Sequence, residues 1–169
     1  SGINSISFGV NSIAKNPNAV VFGTDARALA EDATAVGYGA QATAIDSIAF
    51  GKAALANKAN AIAIGSDAKA INVDALAIGD AASASGNASQ AFGRKAKASG
   101  NYSQASGYQA NAASDNALAI GTNAVAKESS IALGLGAKAD LFQSIALGTS
   151  ALSNSGMSTA VGVYAKALN

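Results

Sequence analysis

The residues best suited to recognise a ligand lie between Arg94 and Asn116. Arg94, Lys95 and Lys97 place three of the chain's eleven basic side chains within four positions, and Tyr102 and Tyr108 add two of its four tyrosines. Cations beside phenol rings suit an acidic surface or a glycan, through charge and stacking. The plainer reading is a weaker pair of structural units with solvated charges. In that reading Gln90, Gln104 and Ser106, which stand where neighbouring segments carry Ile or Leu, bond across strands or hold an axial ion or water. Catalysis has little to draw on. With no histidine and no cysteine, the chain lacks Ser-His-Asp and Cys-His arrangements, imidazole and thiolate metal sites, and any disulfide framework. The Glu31-Asp32 pair offers acid–base groups, but in a turn-like setting without a pocket. Gly37-Tyr38-Gly39 and Gly134-Leu135-Gly136 resemble phosphate loops, yet lack the following helix and the full spacing. Asn and Asp recur singly, without the paired ligand density that calcium requires. The expectation is a protein that is not an enzyme and that uses no cofactor and no metal.

The elements that must position these residues follow from a repeat. The chain has 169 residues, a net charge of +1, 50% hydrophobic residues and only 5% aromatics. Forty-four alanines and eighteen glycines make it a chain of small side chains. The hydrophobic content excludes disorder, and the balanced charge argues against a general nucleic-acid binder. No apolar run approaches the roughly 20 residues that cross a bilayer, and no signal peptide opens the chain, which therefore reads as an excised mature segment. Glycines stand at Gly9, Gly23, Gly37, Gly51, Gly65, Gly79, Gly93, Gly107 and Gly121, always fourteen apart. One thirteen-residue step leads to Gly134, and fourteen-residue steps resume to Gly148 and Gly162. Twelve units account for essentially all 169 residues as a single repeat domain.

Each unit has the same internal grammar. Ala or Ser lies four residues before every glycine, and a large apolar residue lies just before it in eleven units, Ser106 being the exception. Ala follows at three residues, except Ser12, and at five, except Ser153. Ala61-Ile62-Ala63-Ile64 alternates small and large with period two, which predicts a strand. Gly65 turns the chain, and Ala68-Lys69-Ala70 predicts a second strand. Helix, alanine's intrinsic preference, is excluded by a glycine every fourteen residues, by the alternation, and by Ile, Val and Thr gathered ahead of the glycine. Fourteen residues cannot bury a core alone, so the units must stack. At about 4.8 Å per parallel strand, twelve coils make a rod on the order of 58 Å long. The single proline, Pro17, falls in an inter-strand turn, where its missing N–H costs nothing. The first strand carries apolar or small residues on both faces, so one face fills the roll and the other needs a partner. The expectation is that the large residues point inward, leaving Ala and Ser for a close contact between subunits.

Asn4-Ser5-Ile6-Ser7-Phe8-Gly9, Asp46-Ser47-Ile48-Ala49-Phe50-Gly51 and Gln143-Ser144-Ile145-Ala146-Leu147-Gly148 resemble the head repeats of trimeric autotransporter adhesins, the YadA-like heads. The resemblance covers essentially the whole chain. It implies an all-β, left-handed parallel β-roll assembled as a homotrimer. It also implies display on a Gram-negative bacterial surface through a C-terminal outer-membrane anchor. The anchor, a coiled-coil stalk and the neck expected after such a head are not recognisable in this segment. The implied function is adhesion, to extracellular matrix proteins such as collagen, fibronectin or laminin, to host cells or abiotic surfaces, or to further copies in autoagglutination. The alternative is a structural spacer that projects another adhesive domain. An ice-binding solenoid would need a threonine ladder, and the residues after successive glycines (Val10, Thr24, Tyr38, Lys52, Ser66) form none.

Overall fold

In the computed structural model, which describes residues 2–168, the chain winds through twelve coils and forms twenty-four short strands. The odd-numbered strands, from β1 (Ile6–Phe8) to β23 (Thr159–Val161), make one twelve-stranded parallel sheet, here sheet A. The even-numbered strands, from β2 (Ile13–Ala14) to β24 (Lys166–Ala167), make a second, sheet B. Every strand pairs with its equivalents one coil away, as Leu76 does with Ile62 and Gln90. The expected all-β parallel solenoid is thus the observed fold, and no helix occurs among the described residues.

The sequence produces these coils through three local devices. Backbone groups bond to the neighbouring coil, as where the Ile62 N–H donates to the Ala75 carbonyl at 2.9 Å and the Gly65 N–H to the Phe50 carbonyl at 2.8 Å. Each turn holds a residue in the left-handed region, typified by Asn60 (φ 57°) before sheet A and Asp67 (φ 55°) before sheet B, and short amides and carboxylates tolerate this conformation best. The third device is the glycine. At Gly65 the φ of 130° is one that residues with a Cβ rarely adopt, and a Cβ there would come within 2.5 Å of the Gly79 carbonyl oxygen. The glycines therefore stack backbone on backbone, and the spacing between coils leaves no room for a methyl group. The thirteen-residue step shortens one turn only. Glu128 (φ 49°) and Ser129 (φ 58°) are both left-handed there, and the ladder continues with Leu118 opposite Ile131. A salt bridge of 2.9 Å from Lys127 to Asp140 spans that turn and the next coil.

The core reverses one expectation. Small residues point into the roll and large ones point out. Ala61, Ala63, Ala68 and Ala70 of one coil are all fully buried, whereas Ile64 is 37% exposed. The buried cluster is built from alanines between Ala14 and Ala151, with Val21 its one larger member. The reason is the turn. Four residues, Gly65 to Ala68 in one coil, carry the chain from sheet A to sheet B, and the slot so formed accepts methyl groups but not isobutyl or sec-butyl chains. Where Ser replaces Ala inside, two of the hydroxyls bond within their own turn, Ser89 donating to the Gly86 carbonyl and Ser103 to the Gly100 carbonyl, each at 2.7 Å, whereas the buried Ser144 hydroxyl has no partner. The pattern in sheet B points the same way, because Lys69 between Ala68 and Ala70 must face solvent and leaves the two alanines to face sheet A.

The outer face of sheet A consequently carries an apolar band along the whole rod. It presents large hydrophobic side chains at nineteen of its twenty-four outward positions, counting the first and third residue of each strand. Phe8 and Phe22 stack there with ring centroids 6.1 Å apart. The outer face of sheet B is polar by comparison, with Arg27, Gln41, Lys69 and Lys97 standing out of it.

The glycine stack makes a direct prediction. Gly65→Ala should destabilise the protein by roughly 3 kcal/mol or more, combining left-handed strain with a collision against rigid backbone. Gly162→Ala has the same strain (φ 124°), but its Cβ would meet nothing closer than 3.8 Å. It should cost about 1–2 kcal/mol. Denaturant unfolding of the two variants at equal protein concentration measures the difference, and equal losses would contradict the stacked-backbone account.

Candidate functional site

Coils seven and eight depart from the pattern because polar residues occupy three outward positions of sheet A. Gln90 lies beside Gln104, and Phe92 beside Ser106, in β13 (Gln90–Phe92) and β15 (Gln104–Ser106). These side chains belong to the sheet A band. The cations of the same coils lie elsewhere, on the turn after the glycine and on the outer face of sheet B.

Arg94 and Tyr108 occupy the same turn position one coil apart. The Arg94 guanidinium carbon stands 4.9 Å from the centre of the Tyr108 ring, and its Nη2 donates to the Tyr108 hydroxyl at 3.3 Å. Lys95 holds the left-handed position of its turn (φ 59°), which aims its side chain away from the strand, and its N–H is fixed by the Asp80 carbonyl at 2.8 Å. Lys97 begins β14 (Lys97–Ala98) and projects from sheet B, because Ala96 and Ala98 take the inward positions. Ala81, Lys95, Lys97, Gln109 and Asn111 line a shallow groove of about 350 Å³ between this turn and sheet B. Two ammonium groups and two amides around one groove can bind carboxylate, sulfate or hydroxyl groups.

Four of the five residues singled out in the sequence, Arg94, Lys95, Lys97 and Tyr108, therefore share one corner of the rod. Tyr102 does not join them. It lies exposed in the turn that leads back to sheet A, on the opposite edge, where its N–H bonds to the Asn87 carbonyl. The phenols are separated because a tyrosine six residues further along a fourteen-residue coil falls on the other turn.

The remaining motifs resolve into turn chemistry. Asp32 takes a left-handed position (φ 54°) and accepts a hydrogen bond from Asn18 Nδ2 at 3.0 Å. In the two Gly-x-Gly pairs the second glycine, Gly39 or Gly136, fills the left-handed slot that Asp67 fills in other coils (φ 65° in both glycines). No group of three or more Asp and Glu residues converges as a metal site among the described residues.

The sequence reading missed a further feature. Lys97 shares its strand position with Arg27, Lys69, Lys138 and Lys166, the outward residues of β4 (Arg27–Ala28), β10 (Lys69–Ala70), β20 (Lys138–Ala139) and β24. Taking the residue between the two inward alanines of each unit would have revealed this column. Scanning for basic residues close together along the chain could not.

The pairing of Arg94 with Tyr108 is open to measurement. A double-mutant cycle with Arg94→Ala and Tyr108→Leu should give a coupling of about 0.5–1 kcal/mol in unfolding free energy, as expected of an exposed cation over an aromatic face. A coupling of zero would mean the two side chains do not interact in solution.

The family model described as YadA head domain repeat (2 copies) matches residues 1–26, 14–40, 28–54, 42–68, 56–82, 70–96, 84–103, 98–124 and 126–151. From residues 1–26 to 84–103 successive matches overlap by about one coil, so the same two-coil unit recurs along that part of the rod. No curated protein matches the chain.

Proposed function

Because the chain belongs to the YadA head domain repeat family, we propose that it is the adhesive head of a trimeric surface adhesin and works by binding, without catalysis. The family supports a bacterial surface autotransporter adhesin. The observation that carries the assembly is the apolar band on sheet A. Ile6, Phe8 and Phe50 are each more than half exposed in the single chain, and the band runs along the rod on both sides of the polar break at Gln104 and Ser106. Burying one such side chain is worth about 1.5–3 kcal/mol, so covering even half of them outweighs the cost of association. Exposed patches of that extent mark interaction surfaces. Three rolls that pack their sheet A faces around one axis cover the band and leave the three sheet B faces and all the turns outside.

The rod then presents the same surface on three sides, repeated coil by coil. Adhesion arises from many weak contacts in parallel, because each further contact is made at high effective concentration once the first has formed. The fitting partners are extracellular matrix proteins, host cells, abiotic surfaces and other copies of the head. Arg94, Lys95, Lys97 and Tyr108 form the richest single contact on each side, and Tyr102 contributes separately from the other edge. In the cell the head stands on the outer membrane through a C-terminal anchor belonging to the longer protein.

Two measurements test this reading together. Sedimentation of the purified chain should give a trimer, and Ile64→Asp combined with Ile78→Asp should dissociate it, since both sites lie in the covered band. Solid-phase binding of the intact trimer to collagen, fibronectin, laminin, cells and plastic should detect at least one target. The dissociated variant should lose at least tenfold in apparent affinity. A folded monomer at micromolar concentration, or a trimer that binds none of these, would overturn the proposal.

A further inference from the structure

The balanced net charge conceals a sorting by face. All ten carboxylate side chains of the chain lie in turns, whereas five of the eleven cations stand in one column on the outer face of sheet B. Arg27, Lys69, Lys97, Lys138 and Lys166 are all exposed, and no acidic residue interrupts their column. Their intervals are three, two, three and two coils, or about 14, 10, 14 and 10 Å along the rod at about 4.8 Å per strand. Neutral residues separate them. Lys69 is flanked by Leu55 and Ser83, and Lys97 by Ser83 and Asn111, so no two cations repel each other across a strand pair.

The carboxylates that stand two residues along the chain from column cations are already engaged at the edges. Asp25 accepts from Asn11 Nδ2 at 3.2 Å, Asp67 from the Ser66 hydroxyl at 3.2 Å, and Asp140 is paired with Lys127. None of the five column cations forms a salt bridge among the described residues. Beside Lys97 the column widens into the groove lined by Lys95, Gln109 and Asn111.

We propose that this column is a docking track for a linear sulfated polysaccharide, which lies along the rod with its anionic groups over Arg27, Lys69, Lys97, Lys138 and Lys166. The inference rests on the trimeric reading in one respect: sheet A is covered and sheet B faces outward. A straight, single-file row of cations matches an extended ribbon that carries anionic groups all along its length. Duplex nucleic acid fits poorly, since its charges lie about 1.7 Å apart and wind around its axis. Single-stranded nucleic acid is held by aromatic platforms, and the outer face of sheet B carries no aromatic residue in its strands. Between the cations, the amides of Gln41 and Asn111 offer hydrogen bonds to sugar hydroxyls, and Leu55, Val125 and Leu152 offer apolar contact to ring faces. Neighbouring cations are separated by more than the roughly 8 Å over which charges sense each other at physiological salt. Each is therefore a separate contact, and affinity should grow with the number that one chain spans.

Heparin oligosaccharides of graded, defined length, titrated into the purified trimer at 0.15 M salt (about physiological), test the proposal. Affinity should rise with length until the oligosaccharide reaches the about 48 Å between Arg27 and Lys166, and then level off. Lys69→Gln, Lys97→Gln and Lys138→Gln combined should weaken binding at least tenfold with the trimer intact by sedimentation. Lys15→Gln, Lys52→Gln and Lys58→Gln combined remove the same charge from the turns and should change affinity less than twofold. Equal losses in the two triple variants, a length dependence that is flat, or equal binding of single-stranded DNA of matched length would overturn the track. A trimer that adheres to a matrix protein but ignores heparin defeats this inference alone, whereas a chain that sediments as a monomer defeats the trimeric reading beneath it.

Discussion

The structure depends on one close approach, that of backbone to backbone between successive glycines. With Gly65 lying against Gly79, and so on down the rod, coils stack at strand spacing along a turn that would otherwise be held apart by side chains. That turn is short, so the two sheets lie close, and the slot between them takes methyl and hydroxymethyl groups, with Val21 the one larger side chain inside. Alanine's abundance is thus a consequence of geometry and not of helix propensity. A thin interior also buries little per residue. Stability then has to come from elsewhere, namely the backbone ladders and the large side chains that the slot expels onto sheet A.

That expulsion links fold to function. In the proposed assembly a solenoid that cannot hide its isoleucines and phenylalanines internally hides them against another copy, along a band on sheet A that the polar outward residues of coil eight interrupt. Once it is covered, the surface left to the outside is sheet B and the turns, repeated coil by coil. Sheet B and the turns can vary residue by residue without disturbing the core, because every inward position is fixed by the alanine pattern. The cations of coils seven and eight, and the column that extends them along the rod, occupy these freely variable positions.

Most of the fold was legible in the sequence. The glycine period fixed the coil boundaries, the alternation fixed both strands, and even the shortened turn before Ser130 was visible as a thirteen-residue step. The orientation of the first strand was misread because Ala61-Ile62-Ala63-Ile64 is apolar on both faces, so hydrophobicity cannot say which one is inside. Volume could have decided it: Lys69 sets Ala68 and Ala70 inward in sheet B, and a slot with alanine on one wall and a four-residue turn at its end has no room for isoleucine on the other. The basic corner was legible in part. Arg94, Lys95 and Lys97 were close enough along the chain to be noticed, and Tyr108 falls fourteen residues after Arg94, one coil on. Tyr102 was grouped with them by nearness in sequence, but a coil carries it to the far edge. The column containing Arg27, Lys69, Lys138 and Lys166 escaped notice because its members are distant in sequence and aligned only by the repeat.

The central claim is that the coil holds only small side chains inside and so must shelter its large ones between protomers. The chain contains no cysteine, so single thiols report position without interference. Reaction rates of a water-soluble maleimide with Ala77→Cys, Ile78→Cys and Lys69→Cys, each in the native assembly, test the claim most directly. The account requires rapid reaction at position 69, protection at position 77 under all native conditions, and protection at position 78 that disappears when the protein is diluted below the dissociation constant of the assembly. Reaction at position 78 as fast as at position 69 in the concentrated protein, or ready reaction at position 77, would contradict it.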